Sequence, residues 1–320
     1  IWIGKMLKPI RHMFPPLVTG IVVLMIGISL LKVGFKYAGG GVWLMNNKPE
    51  IFANWHHLTI AGTVLIVALL TNLRGKGMVS AASILIGIIA GFIVAALLGE
   101  VRWAKIAAAS WFAFPMPLQY GIDFVWGAVI LMLFMSIVTT IETIGDISAT
   151  TMGGANREAT DKELSGGIMA DGVGTAFASI FNAMPNTSYS QNAGLVAFTG
   201  VISRHVGTVA GIILILLGLF PKLGGIIAAM PDSVIGGAAI IMFGLIAGAG
   251  IKLISKSEMS QRNILILALS LSFGIGLYAF PEFVAHIPDF GIKLKLLLTT
   301  GLIPAGLLAF ILNATLPTKK

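Results

Sequence analysis

Residues 185–194, Pro-Asn-Thr-Ser-Tyr-Ser-Gln-Asn-Ala-Gly, form a polar segment between two apolar tracts. A bilayer offers no water to a non-helical backbone, so such a segment is stable only where it lines a cavity or is buried in protein. Gln191 and Asn192 each present amide donors and an amide acceptor. We therefore expect this segment to bind a small polar ligand; the alternative is that both amides only satisfy the broken backbone.

Three acidic residues lie within or near the ends of apolar tracts: Glu142, Asp146 and Asp171. An acidic side chain at the centre of a membrane helix costs roughly 2.5–3.5 kcal/mol, so each of these residues needs a reason. Glu142 and Asp146 are four residues apart and share one helix face. Such carboxyl groups can carry a proton or hydrogen-bond a neutral ligand. Two alternatives stay open: Asp146 is a solvated charge at the cytoplasmic mouth, and Asp171 only bonds the backbone of a broken helix.

The composition indicates the elements that must position these residues. Hydrophobic residues make up 57% of the chain, charged residues 11%, and the mean hydropathy is +0.95. These values exclude an ordinary soluble domain and predict an all-α polytopic membrane protein. The chain has no cysteine, and the pair His56–His57 lacks the further ligands of a metal site, so no metal site is expected. The basic residues lie singly at the ends of apolar tracts, which argues against a nucleic-acid partner.

A membrane-spanning helix needs about 20 apolar residues. The sequence contains ten candidate spans, the sixth long enough only for a half-helix: 15–38, 57–73, 78–99, 125–150, 164–183, 191–203, 205–221, 231–251, 263–280 and 296–316. The distribution of lysine and arginine favours a cytoplasmic start. We therefore expect a multi-pass protein of the cell membrane with both ends of this chain in the cytoplasm.

A weak internal repeat relates the first and eighth candidate spans. At an offset of 216 residues, identical residues coincide in five pairs: Pro15–Pro231, Val18–Val234, Gly20–Gly236, Gly34–Gly250 and Lys36–Lys252. Helices seven spans apart have opposite orientations, as in the inverted repeats of secondary transporters. A seven-span unit would place four further spans before this chain. We therefore expect a fragment that is inactive alone, in which residues 1–13 are the tail of a missing span.

The motifs resemble those of the nucleobase–ascorbate transporter family. The run from Gln191 through Gly194 and Thr199 to Gly200 is similar to the signature of that family. The segment Glu-Thr-Ile-Gly-Asp at 142–146, and Asp171 twenty residues before Gln191, are also similar to it. The resemblance covers essentially the whole chain, and Gln at the first signature position resembles the xanthine and urate permease branch.

The resemblance implies two inverted repeats of seven spans, divided between a core and a gate domain. Residues 14–99 and 230–316 would form the gate, and residues 123–222 would form the second half of the core with the substrate site. Residues 100–122 would be an extracellular or periplasmic interfacial segment. The polar segment would form a short membrane-buried strand followed by a half-helix. A homodimer formed through the gate domain is also expected.

The resemblance also implies roles for individual residues. Substrate-binding positions would be Glu142, Ser190, Gln191, Asn192, Ala193 and Gly194; Asp146, Asp171 and Thr199 would support proton coupling and the shape of the site. We expect proton-coupled uptake of xanthine, urate or both, without a cofactor other than the coupling proton. A uracil or other nucleobase carrier, and an anion exchanger of the same architecture, remain alternatives. An intramembrane hydrolase is disfavoured because Glu142 and Asp146 lie on one helix, which is poor geometry for an acid–base pair.

Overall fold

A computed structural model of the protein describes residues 15–189, 192, 196, 200–286 and 294–317. Within these ranges the regular structure is entirely helical. The all-α prediction is therefore confirmed for the described part of the chain. Residues 1–13, expected to be the tail of a preceding span, lie outside the described residues.

The described helices follow the apolar tracts closely. They are α1 Pro16–Ala38, α2 Val42–Asn47, α3 Trp55–Arg74, α4 Met78–Ala81, α5 Ser83–Leu97, α6 Trp103–Ala108, α7 Trp126–Ala155, α8 Asp161–Ile180, α9 Arg204–Gly218, α10 Pro221–Ala229, α11 Asp232–Ile254, α12 Gln261–Ala279, α13 Leu294–Thr299 and α14 Leu302–Thr315. Short 3₁₀ turns occupy Pro49–Ile51 and Pro281–Val284.

Four of the described helices are long and apolar enough to cross a membrane: α1, α3, α11 and α12. A fifth span results if α9 and α10 are counted together, although they meet at 81°. The span predicted over 205–221 corresponds to α9, which ends three residues earlier, at Gly218. Pro221 cannot continue a helix begun upstream, and it starts α10 instead. The apolar helices α5 and α14 are shorter.

The expected strand before the half-helix is not formed among the described residues. Residues 183–189 have neither helical nor strand structure, and Asn192 and Val196 are helical. A strand requires a neighbour to pair its backbone groups, and the described ranges contain no strand for it to pair with. The described residues 185–189 of the polar segment are therefore irregular.

The chain divides into two compact units. The first comprises the described residues of Ile1–Ser29, Met116–Gly200 and Leu245–Lys320, and the second comprises Leu30–Pro115 and Val201–Gly244. Helices α1 and α11 each contribute one part to each unit. Each unit has its own hydrophobic core. The predicted division into core and gate domains remains a prediction.

In the first unit, α1 packs closely against the C-terminal part of α11 and against α12 and α14. Ile21 and Met25 of α1 are fully buried, together with Ile266 and Ala305. A Cβ atom placed on Gly20 would lie 2.8 Å from the backbone nitrogen of Ile254. Small residues at helix crossings let backbones approach in this way.

In the second unit, the N-terminal part of α11 packs against α3 and the C-terminal part of α1. Ile60, Val64 and Val234 are fully buried at the centre of this core. A Cβ atom on Gly236 would overlap the backbone of Ala38. The close approach again depends on glycine.

The glycine contacts of the two units correspond through the offset of 216. In the first unit Gly20 meets Ile254, and in the second Gly236 meets Ala38. Gly236 is 216 residues after Gly20, and Ile254 is 216 residues after Ala38. The two contacts therefore join equivalent positions of the repeat. Gly250 against Leu24 and Gly34 against Ile240 form a second such pair of contacts. The sequence repeat is thus accompanied by repeated packing.

Candidate functional site

Glu142 and Asp146 lie on α7, as the sequence predicts, and both are partly buried. The helix has 30 residues, which at about 1.5 Å per residue is longer than a bilayer core is thick. Their spacing of four residues places both carboxylates on one side of the helix. Either carboxylate can therefore face an element packed against that side.

Helix α8 packs against α7 through apolar side chains. Leu164 and Ile168 of α8 are buried and contact Ile144 and Ile147 of α7. Gly167 allows this approach, since a Cβ atom there would overlap the side chain of Ile147. The packing aligns Thr143 of α7 with Asp171 of α8, and the Thr143 hydroxyl donates a hydrogen bond of 2.6 Å to Asp171 Oδ2.

Thr143 is only 2% exposed, so its hydroxyl is removed from solvent. A buried hydroxyl costs free energy unless it is hydrogen-bonded, and the Asp171 carboxylate supplies the acceptor. This contact gives Asp171 a side-chain partner rather than the backbone partner considered from the sequence.

After α8 the chain turns back along the helix surface. Asn182 adopts a left-handed conformation (φ 59°), and its side-chain amide donates to the carbonyl oxygen of Met116. Asn186 then lies beside Thr175: the Thr175 hydroxyl is 3.1 Å from both the carbonyl oxygen and Oδ1 of Asn186. The backbone N–H of Asn186 donates to Thr175 Oγ1 at 3.2 Å. The first half of the polar segment is therefore attached to α8.

Ser188 attaches the segment to α7. Its hydroxyl donates a hydrogen bond of 2.5 Å to Asp146 Oδ2, and its oxygen lies 3.4 Å from Thr143 Oγ1. The three sequence motifs, around residues 142–146, at Asp171 and at 185–194, thus converge through hydroxyl groups. Five of the predicted site residues lie outside the described residues: Ser190, Gln191, Ala193, Gly194 and Thr199.

Asn192 is described; it is helical and exposed, and its backbone N–H donates to the carbonyl oxygen of Tyr189. Within the described ranges, no group of three or more histidine, aspartate or glutamate side chains could hold a metal ion. The expectation of a site without metal remains a prediction.

The turn between α7 and α8 is held by an ion pair and a capping box. Arg157 donates two hydrogen bonds to Glu163, at 2.6 and 2.8 Å, and the Thr160 hydroxyl accepts from the Glu163 backbone N–H. Glu163 in return accepts from the backbone N–H of Thr160, completing the capping box. The hydrogen bond from Arg157, followed by those from Thr160, holds the pKa of the Glu163 carboxyl below its ordinary value.

Comparison with known proteins identifies the family. The Xan_ur_permease model, described as "Permease family", matches residues 1–283. The chain belongs to the nucleobase–ascorbate transporter family. The protein is therefore a permease rather than an enzyme, and its apolar helices are those of a multi-pass membrane protein.

Relatives of this permease carry purine names. The chain is 40% identical over 310 residues to the putative purine permease CPE0397 of Clostridium perfringens, covering 97% of this chain and 67% of that protein. It is 35% identical over 322 residues to the xanthine permease XanP of Escherichia coli, covering 99% and 68%. It is also 35% identical over 303 residues to the uric acid permease PucJ of Bacillus subtilis, covering 94% and 67%.

Four residues that make these contacts were not among the site residues predicted from the sequence: Thr143, Thr175, Asn186 and Ser188. Three of them carry hydroxyl groups, which are frequent in membrane proteins, so their identity alone carries little signal. Their positions in the sequence could have indicated two of them. Thr143 lies between the acidic residues Glu142 and Asp146, and Ser188 lies three residues before Gln191. Their partners depend on how α7, α8 and the polar segment pack.

Proposed function

We propose that this permease is a secondary active transporter that takes up a purine nucleobase, xanthine or urate or both, together with protons. The observation that carries the proposal is the hydrogen-bonded set of Asp146, Ser188, Thr143 and Asp171. This set attaches the polar segment leading to Gln191 to two carboxylates. The names of XanP and PucJ support the substrate class.

The proposed binding groups are a carboxyl and an amide. Glu142 and Gln191 would hydrogen-bond the alternating N–H and C=O edges of a flat purine, with Ser190, Asn192, Ala193 and Gly194 forming the rest of the site. Ala193 and Gly194 would lie near the start of the proposed half-helix, where backbone N–H groups have no partner within the helix. A neutral heterocycle matches this mixture of donors and acceptors.

The proposed coupling ion is the proton. Asp146 and Asp171 would carry or position it, and Thr199 would support the shape of the site. Asp146 accepts from Ser188 on the chain that leads to the substrate groups, and Asp171 accepts from Thr143, whose hydroxyl oxygen lies 3.4 Å from that of Ser188. A change in proton occupancy would therefore alter the contacts of that chain.

The proposed architecture is a pair of inverted seven-span repeats with core and gate domains, a homodimer formed through the gate, and cytoplasmic ends. The repeated contacts Gly20–Ile254 and Gly236–Ala38 support the repeat. Because the chain has no cysteine, single cysteines introduced at Lys76, Arg157 and Glu50 give a direct test of orientation. Labelling of the first two from the cytoplasm, and of Glu50 from outside, is the expected pattern.

Transport is tested with the complete coding sequence that contains this chain, expressed in cells without their own purine permeases. We expect uptake of labelled xanthine or urate that a protonophore abolishes and that sodium removal does not change. Glu142→Gln and Gln191→Ala should each abolish uptake, whereas Glu158→Gln, which changes an exposed acid, should not. Normal uptake by the first two variants would reject the site, and uptake of uracil or sulfate instead would identify one of the alternatives.

A further inference from the structure

Two hydroxyl groups lie in a row between two carboxylates in this permease. Thr143 Oγ1 is 2.6 Å from Asp171 Oδ2, Ser188 Oγ is 2.5 Å from Asp146 Oδ2, and the two hydroxyl oxygens are 3.4 Å apart. The four groups come from α7, α8 and the polar segment. Thr143, at the centre, is almost fully buried.

Each hydroxyl has one proton to donate and oxygen lone pairs that accept. The Thr143 hydroxyl is placed to donate to Asp171, and the Ser188 hydroxyl is placed to donate to Asp146 or, over the longer distance, to Thr143. The separation of 3.4 Å between the hydroxyls exceeds an ordinary O–H···O distance of about 2.7–2.8 Å. The two contacts to the carboxylates are therefore short, and the contact between the two hydroxyls is long.

We propose that Ser188 and Thr143 form a proton relay between Asp146 and Asp171. This inference rests on the proposed proton-coupled purine transport and adds the path of the proton. It differs from a positioning role, in which the hydroxyls would only orient the two carboxylates. It also assigns functions to two residues that are not among the proposed substrate-binding groups.

The transfer conserves protons and needs no other reactant. A proton taken up by Asp146 forms an O–H bond that donates to Ser188 Oγ once the Ser188 hydroxyl has rotated towards Thr143. The O–H bond of Asp146 then breaks as a new one forms at Ser188, the Ser188 proton moves to Thr143 Oγ1, and the Thr143 proton moves to Asp171 Oδ2. Asp146 ends as a carboxylate, Asp171 as a carboxylic acid, and both hydroxyls are again neutral.

The middle contact makes the relay sensitive to substrate. Ser188 lies on the segment that continues to Gln191, so movement of that segment on purine binding changes the distance between Ser188 and Thr143. A shift of roughly half an ångström towards Thr143 brings the two oxygens into hydrogen-bond range. Proton transfer would then follow substrate binding, which is the order that coupled uptake requires.

The test separates proton movement from substrate movement in vesicles containing the full-length protein. Purine exchange at equal pH requires no net proton transfer, whereas uptake driven by a pH gradient does. An enclosed pH-sensitive dye reports the proton flux that accompanies purine entry. Thr143→Val removes the hydroxyl at nearly constant shape, and Thr143→Ser retains the hydroxyl as the matched control.

We expect Thr143→Val to lower the purine-coupled proton flux by about a hundredfold, the order of a lost proton-transfer group, and to lower exchange far less. Thr143→Ser should retain both. Coupled flux that persists in Thr143→Val would overturn the relay, and equal loss of exchange and flux in a folded protein would show a positioning role only.

Ser188→Ala, with Ser188→Thr as its control, repeats the test on the polar segment and decides the question if Thr143→Val does not fold. The expected result is again a larger loss of coupled flux than of exchange. Equal effects of Ser188→Ala on both would overturn the relay. Absence of proton-coupled purine flux in the unmodified protein would instead reject the proposed function.

Discussion

The side chain of Thr175 and the backbone of Asn186 are joined by reciprocal hydrogen bonds. The threonine hydroxyl donates towards the Asn186 carbonyl and accepts from its N–H, at 3.1 and 3.2 Å. Gly174 lies next to this contact, where a Cβ atom would be 2.9 Å from Asn186 Nδ2. The start of the polar segment is therefore seated on one turn of α8.

Gly174→Ala should displace the Asn186 side chain and lower purine uptake, because the added methyl group would lie 2.9 Å from Asn186 Nδ2, closer than van der Waals contact. Thr175→Val should also lower purine uptake, because it removes the hydrogen bonds to Asn186, each worth about 0.5–1.5 kcal/mol. Gly166→Ala is the matched control, since a Cβ atom there meets no other atom within 4 Å. Uptake and thermal unfolding are measured together; a Gly174→Ala protein as active as Gly166→Ala would contradict the seating of Asn186.

Gly250→Ala should destabilise the first unit by about 1–3 kcal/mol, as overpacking does, because its Cβ atom would overlap the backbone of Leu24. Gly248→Ala lies on the same helix and has open space at that position. It should be neutral or slightly stabilising, because alanine favours a helix over glycine by up to about 1 kcal/mol. Thermal unfolding in detergent compares the two; equal Tm values would contradict the close crossing of α1 and α11.

Arg262→Ala should destabilise the end of α14. The guanidinium donates to the carbonyl oxygens of Asn313 at 2.6 Å and Leu316 at 3.1 Å, and hydrogen bonds to charged groups contribute about 1.5–3 kcal/mol. Hydrogen exchange of the last turn of α14 should increase. Lys256→Ala, which removes an exposed cation of the same unit, should leave that exchange unchanged; similar exchange in both variants would show that Arg262 does not hold the helix end.

The turn between α7 and α8 should show a pH-dependent stability. The pKa of Glu163 is lower in the folded protein than its ordinary value of 4.5. Ionised Glu163 therefore stabilises the fold above that ordinary value, and the contribution is lost as the pH falls towards the lowered folded value. Glu163→Gln should lower Tm at neutral pH, and its difference from the unmodified protein should shrink in acid.

Two further variants divide the contributions within this turn. Thr160→Ala should cost about 1 kcal/mol at all these pH values, since the threonine cap does not titrate. Arg157→Gln should weaken the pH dependence, because the hydrogen bond from Arg157 is the largest cause of the lowered pKa. A pH dependence that is unchanged in Arg157→Gln would contradict this assignment.

Local spacing was sufficient for much of the helical framework. Apolar tracts predicted most helices to within a few residues, and the four-residue spacing predicted that Glu142 and Asp146 share a helix. The sequence prediction ends a span at Pro221 and does not include α10, which begins there, so the bend between α9 and α10 was not predicted. The strand expected before the half-helix was wrong in the described residues, because pairing depends on a neighbour that local sequence does not supply.

By itself, the sequence determined the membrane setting, the family and the side chains that could bind a ligand or carry a proton. These follow from composition and from motifs within a few positions. The partners of those residues required the tertiary structure. Thr143 and Asp171 are 28 residues apart, and Ser188 and Asp146 are 42 apart. Their contacts depend on the rotation of α7 against α8 at Gly167 and on the return of the chain at Asn182. Such contacts arise from packing between elements, and the spacing of side chains along a single element does not determine them.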